Sequence, residues 1–107
     1  MNYLAKAEKA IEYLAETENK YAHLKAQVKY APERLKAFLS VLEMESDLPS
    51  ATARKTAAMA NDEYDALIEA QETIAREYNV IAEKRRRAEI TIEMYRSVNS
   101  AMKRGNI

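Results

Sequence analysis

One column of side chains, spaced every seven residues along the second half of the chain, limits the possible folds more than any other feature. Its members are Ala60, Leu67, Ile74, Ile81, Ala88, Tyr95 and Met102. Six of the seven are aliphatic or Met, and no Gly or Pro interrupts the run. This pattern is typical of one long amphipathic helix with a narrow apolar seam, packed as in a coiled coil. It predicts an architecture and leaves the function open.

A matching column predicts a second long helix in the first half of the chain. It consists of Ala7, Leu14, Tyr21, Val28, Leu35 and Leu42. A neighbouring column starts with Leu4 and Ile11 and gives out at Glu18. The seam then continues one position back, through Leu24, Ala31 and Phe38. We interpret this shift as the drift of a straight helix against a strict heptad.

Turn and capping residues predict where these helices begin and end. Asn2, Ser50 and Asn61 are good N-cap residues, and Gly105 is a plausible C-cap. Pro32 lies inside the first helix, where we expect it to kink the helix rather than end it, because the apolar column continues on both sides.

The predicted fold is all-α: a long antiparallel helical hairpin with a short connecting helix, forming a single domain over residues 1–107. We place the first helix at about 2–45, the connector and short helix at about 46–61, and the long helix at about 62–104. With one Gly and two Pro, the chain has few residues for further turns.

Two long helices bury little apolar surface, so we expect a homodimer or higher oligomer, most simply a four-helix arrangement. Tyr64, Tyr78 and Ile92 form a partial second stripe and are the predicted self-association residues. The alternative is that they widen the apolar face of a single hairpin.

Residue types argue against an enzyme, a metal site or a cofactor. The chain has no Cys, and its only His is His23. One Gly excludes a Gly-rich phosphate loop, and the carboxylates alternate with Lys and Arg as on solvated helix faces. No signal-peptide pattern or membrane span is recognisable, so we expect a cytoplasmic protein.

Charge is unevenly distributed, although the net charge is zero. Residues 43–77 carry a net −6 and residues 78–107 a net +4. The strongest local signal is the basic run Lys84-Arg85-Arg86-Arg87. An antiparallel hairpin brings the basic part of the long helix beside residues 2–24. The predicted binding residues are Lys84, Arg85, Arg86, Arg87, Arg96, Lys103 and Arg104, with Lys6, Lys9 and Lys20 expected near the last three.

A positive face with Tyr13 and Tyr95 nearby suits single-stranded nucleic acid, since cations hold phosphates and aromatic rings stack on bases. The same charge also has simpler explanations: a solvated face, or a contact with the acidic part of a second copy. Met59, Met94 and Met102 fall at helical spacing and are predicted to lie in the core. Met44 and Met59, which flank the connector, also suggest an apolar surface for a partner.

The C-terminal stretch from Arg87 to Ile107 resembles the end of small all-helical proteins of unassigned function encoded by tailed phages and prophages. The resemblance is carried by Tyr95–Asn99, an aromatic-Arg-Ser-x-Asn run, and by the terminal Arg104-Gly-Asn-Ile107; segment 51–63 is also similar. Such proteins are often encoded near recombination and replication genes. The resemblance implies a context, with the host bacterium's cytoplasm as location, and no site.

Together these observations predict a non-enzymatic phage accessory protein of DNA recombination or replication. It would bind single-stranded DNA, or a phage recombination protein, through its basic helix face. The alternatives are a protein-interaction module that inhibits a host protein through the acidic connector, or a structural coiled-coil component.

Overall fold

A computed structural model describes residues 2–105, which form three helices. Helix α1 spans Tyr3–Glu45, α2 spans Ala51–Met59 and α3 spans Asp62–Lys103. No strand occurs in this described part of the chain. The all-α class and the pair of long helices are therefore confirmed, while dimerisation stays a prediction.

Capping residues define the helix ends as the sequence predicted. The side-chain oxygens of Asn2, Ser50 and Asn61 accept hydrogen bonds from the backbone N–H groups of Ala5 (3.0 Å), Ala53 (3.0 Å) and Glu63 (2.7 Å). These bonds satisfy amide groups that lack a partner within the helix. Gly105, with φ 73°, adopts the left-handed conformation that a helix C-cap favours.

Helix α1 continues through Pro32 without a break. Proline has no N–H, so the carbonyl of Val28, four residues earlier, loses its usual helical donor. The Ala31 carbonyl next to Pro32 accepts a hydrogen bond from the Gln71 Nε2 group at 3.2 Å.

The chain divides into two compact units. Unit 1 contains residues 2–23 and 79–105 of the described chain. Within it, Lys6 and Tyr13 share a groove with Thr91 and Lys84, and Tyr3 shares a crevice with Tyr95 and Met102. Residues near the start of α1 therefore lie beside residues near the end of α3, so the two helices are antiparallel in this unit.

Unit 2 contains residues 24–78, where α1 and α3 are again antiparallel and α2 lies at their joined end. Val28 and Ile74 line one small cavity, whereas Leu42, Ala58 and Asn61 line another. The connector between α1 and α2 is fastened by Arg54, whose Nη1 group donates to the Leu48 carbonyl at 2.8 Å.

The core consists mainly of small side chains. Within the described chain the buried residues are Ala7, Ala10, Leu24, Ala58, Ile81 and Ala88. Four of these six are Ala, so the helices approach closely around small residues rather than around interlocked large ones. No large side chain among them is completely removed from solvent.

Two sequence predictions about the core were wrong. Leu4 and Ile11 are half exposed, and the seam instead follows Tyr3, Ala10, Thr17 and Leu24, so no drift of the column is needed. The three Met residues predicted for the core are also exposed, by 51% to 59%: Met59, Met94 and Met102. A Met at the end of a helix column has few neighbours to cover it, and Met94 lies off the seam.

The residues predicted to drive self-association, Tyr64, Tyr78 and Ile92, are all partly buried. None is among the most exposed apolar side chains, and their role in a dimer stays a prediction. No helix in the described part of the chain is long and apolar enough to cross a membrane.

Candidate nucleic-acid interface

A basic groove runs between α1 and α3 in unit 1. Its volume is about 400 Å³. Its lining residues are Lys6, Lys9, Ala10, Tyr13, Lys84, Arg87, Ala88 and Thr91. Four of the eight are cations and none is acidic. The two Ala are buried and form the floor, while the four cationic side chains are exposed and form the rim.

Helical geometry explains why the cations gather on one flank. Lys6, Lys9 and Tyr13 each immediately precede a seam residue of α1, so all three project to the same side of the seam. On α3, Lys84 and Arg87 are three residues apart and are therefore neighbours on one helix face. The small floor residues keep the helix axes close together, which brings the two cationic rows across from each other.

The four rim cations make no salt bridge within residues 2–105. The acids that lie three or four residues from a rim cation, the spacing of neighbours on a helix face, are Glu12, three residues after Lys9, and Glu83, four residues before Arg87; both are exposed. Unit 1 as a whole has ten basic and seven acidic side chains, a net +3. The groove therefore concentrates positive charge where an anionic ligand can contact several cations at once.

Arg85, which is next to Lys84 on α3, connects α3 to α1 through side-chain hydrogen bonds. Its Nη1 group donates to the Leu14 carbonyl at 2.8 Å and to Thr17 Oγ1 at 2.7 Å. Its guanidinium lies 4.7 Å from the centre of the Tyr21 ring, a cation–π contact. Thr17 in turn donates to the Tyr13 carbonyl at 2.7 Å. This network connects α3 to the segment of α1 that carries Tyr13, a lining residue of the groove.

The structure separates the seven predicted binding residues into three groups. Lys84 and Arg87 line the groove. Arg85 points against α1 and is engaged there by hydrogen bonds. The other four are exposed and lie outside the groove lining: Arg86, Arg96, Lys103 and Arg104.

Lys6 and Lys9 line the groove together with Lys84 and Arg87. The expected closeness of Lys6, Lys9 and Lys20 to Arg96, Lys103 and Arg104 stays a prediction. The overlooked signal was Ala10 and Ala88: two small residues at opposed seam positions mark the place where flanking cations from both helices come together.

A second exposed feature lies at the connector in unit 2. Ser40, Glu43, Met44, Ser46, Ala51 and Arg54 line a shallow pocket there. Met44 is 85% exposed, the highest value among the large apolar side chains of the described chain. Unit 2 has seven basic and ten acidic side chains, a net −3.

Among the described residues, no group of three or more His, Cys, Asp or Glu side chains is arranged to hold a metal ion. His23 is exposed. The chain matches no protein-family model, no curated protein and no solved structure with which it was compared.

Proposed function

We propose that this chain is a non-enzymatic accessory protein of phage DNA recombination or replication that binds single-stranded DNA through the basic groove. The observation that carries the proposal is the rim of four cations, which make no salt bridge within residues 2–105, over an apolar floor with Tyr13 at its edge. Phosphates contact Lys and Arg side chains, and bases stack on aromatic rings without regard to sequence. The phage context rests on the resemblance of the C-terminal stretch.

A single strand suits the groove better than a duplex. Bases of a single strand are accessible for stacking on Tyr13 and for contact with the apolar floor, whereas those of a duplex are stacked on each other.

The test is fluorescence anisotropy of labelled single- and double-stranded oligonucleotides titrated with the protein. We expect preferential binding of the single strand, and a loss of affinity of about 25-fold at 0.1 M salt when Lys84 and Arg87 are both replaced by Ala, because each lost phosphate contact costs about fivefold. The matched control replaces Arg86 and Arg96 by Ala. It removes the same charge from the same helix outside the groove, and binding should change little.

Absence of binding at low salt, where electrostatic attraction is strongest, would refute the nucleic-acid proposal. Equal losses in the two double variants would refute the groove as the site while retaining the binding activity.

A protein-interaction role at the connector is the second candidate, favoured by the exposure of Met44 within the net-acidic unit 2. Flexible, polarisable Met side chains adapt to varied partner surfaces. In this case a stoichiometric host protein should be retained after nuclease treatment. Replacing Met44 by Ser should release it, whereas replacing Met94 by Ser should not.

A further inference from the structure

A crevice lies in unit 1 between the start of α1 and the end of α3. Two aromatic side chains line it, Tyr3 and Tyr95, and both are partly buried. Its other lining residues within the described chain are Asn2, Leu4, Val98, Asn99 and Met102. None of these described lining residues is charged. The crevice therefore offers aromatic and apolar surface together with amide groups, which is a different chemistry from the cationic rim of the groove.

The crevice continues the basic groove by one heptad. On α1, Tyr3 lies seven residues before the floor residue Ala10. On α3, Tyr95 lies seven residues after the floor residue Ala88. The same step relates two flanking pairs of lining residues, which are Asn2 with Lys9 and Val98 with Thr91. Because the helices are antiparallel in this unit, both steps run the same way along the helix pair, by about 10 Å.

This step replaces two small residues by two large aromatic ones. Ala10 and Ala88 are buried and form the floor of the groove, whereas the rings of Tyr3 and Tyr95 line the crevice and stay partly accessible. A ring that is packed on one side and accessible on the other is a preorganised surface for stacking. Nucleic-acid bases stack on such rings without regard to sequence, while phosphates follow cations. The groove and the crevice thus suit different parts of one strand.

Asn99 adds hydrogen-bonding groups beside the rings. Its side chain is partly buried and makes no hydrogen bond within residues 2–105. A side-chain amide carries two donors and an acceptor oxygen, which match the mixed donors and acceptors on the edge of a base. The Asn2 side-chain oxygen is already bonded to the Ala5 amide, so Asn99 is the amide whose two ends are both available to a ligand.

We propose that this crevice binds a base of the single-stranded DNA whose phosphates contact the rim of the groove. Tyr3 and Tyr95 stack on the base, and Asn99 bonds its edge. The inference rests on the proposed function and adds to it a second contact, which contributes affinity that salt does not screen. Cations in the groove determine how steeply binding depends on salt, whereas the crevice raises the affinity equally at every salt concentration.

The experiment measures the affinity of the full chain for a single-stranded oligonucleotide over a series of salt concentrations. Tyr95→Leu keeps an apolar side chain and removes the ring. We expect it to lower the affinity about tenfold at each salt concentration and to leave the slope of log K against log salt unchanged, because stacking releases no counterions. Tyr95→Phe keeps the ring and should bind as the wild-type chain does. Circular dichroism checks that both variants stay helical.

A second ligand distinguishes lost stacking from a disturbed groove. An abasic oligomer of the same length carries the same phosphates and no bases. Tyr95→Leu should bind it as tightly as the wild-type chain does, because there is no base for the crevice to hold. Equal weakening towards both ligands, or no weakening towards either, would overturn the proposal and leave binding in the groove intact. Absence of oligonucleotide binding by the wild-type chain would refute the proposed function itself, and this inference with it.

A fluorescent reporter tests the contact directly. The chain has no Trp, so Tyr95→Trp introduces a single indole whose emission is quenched when a base stacks on it. Quenching should saturate at the midpoint of the anisotropy titration. The control is Tyr30→Trp, because Tyr30 is 49% exposed and belongs to unit 2, and its emission should not change. Oligonucleotide binding without quenching at position 95, or with equal quenching at positions 30 and 95, would overturn the proposal.

Discussion

Within the basic run Lys84–Arg87, Arg85 is the residue whose side chain packs against α1. Consecutive helical residues project about 100° apart, so only one residue of Lys84–Arg87 can face α1. Arg85 does so, and it makes two hydrogen bonds and a ring contact there. The sequence identifies a basic run, but the choice of the inward-facing member depends on the register between the helices, which the sequence leaves undetermined.

We predict that Arg85→Ala lowers the free energy of unfolding by about 1–3 kcal/mol, because a charged donor to two part-buried acceptors is lost. Arg85→Lys should recover only part of it, since an ammonium group can donate to both acceptors but lacks the planar guanidinium that lies over the Tyr21 ring. Urea unfolding measures both.

Arg86→Ala is the control for the loss of charge: it is exposed, so its effect should stay within about 0.5 kcal/mol. If Arg85→Ala were equally mild, Arg85 would not fasten the two helices.

At the scale of the helices, the features that the sequence predicted correctly depend mostly on contacts between residues close together in the chain. Caps at Asn2, Ser50 and Asn61 follow from residue type and position, because each acts on its own backbone neighbours. The column of Leu4 and Ile11 was predicted to be buried in place of the column of Tyr3, Ala10 and Thr17, because Leu and Ile are more apolar than Ala and Thr. Close helix approach favours small residues, and this tertiary effect overrides the apolar ranking.

We predict that Ala88→Leu destabilises the chain by about 1–3 kcal/mol, because extra methylene groups enter a well-packed floor. Ala88 is 8% exposed and faces the groove, so the larger side chain should also reduce its depth and weaken oligonucleotide binding.

The comparison variant is Ala15→Leu, which adds the same atoms at an exposed position. Thermal unfolding should show no loss of stability for Ala15→Leu. A similar loss in both variants would mean that close packing around Ala88 is not what the core requires.

At the scale of the whole molecule, a net charge of zero divides into a net +3 for unit 1 and a net −3 for unit 2. A neutral chain exerts little long-range attraction on a polyanion, so binding must come from local contacts. The salt dependence of binding therefore counts the cations that contact phosphate, not the net charge of the protein.

We predict a slope of about −3 for log K against log salt with a single-stranded oligonucleotide, since four groove cations each contribute about −0.7. Between 50 and 200 mM salt, affinity should fall about 50-fold. Replacing Lys6 or Lys9 by Ala should make the slope shallower by about 0.7, although neither belongs to the basic run of α3. A slope near −7 would instead require all ten cations of unit 1 to contact the strand, and would show that the ligand covers a far larger surface than the groove.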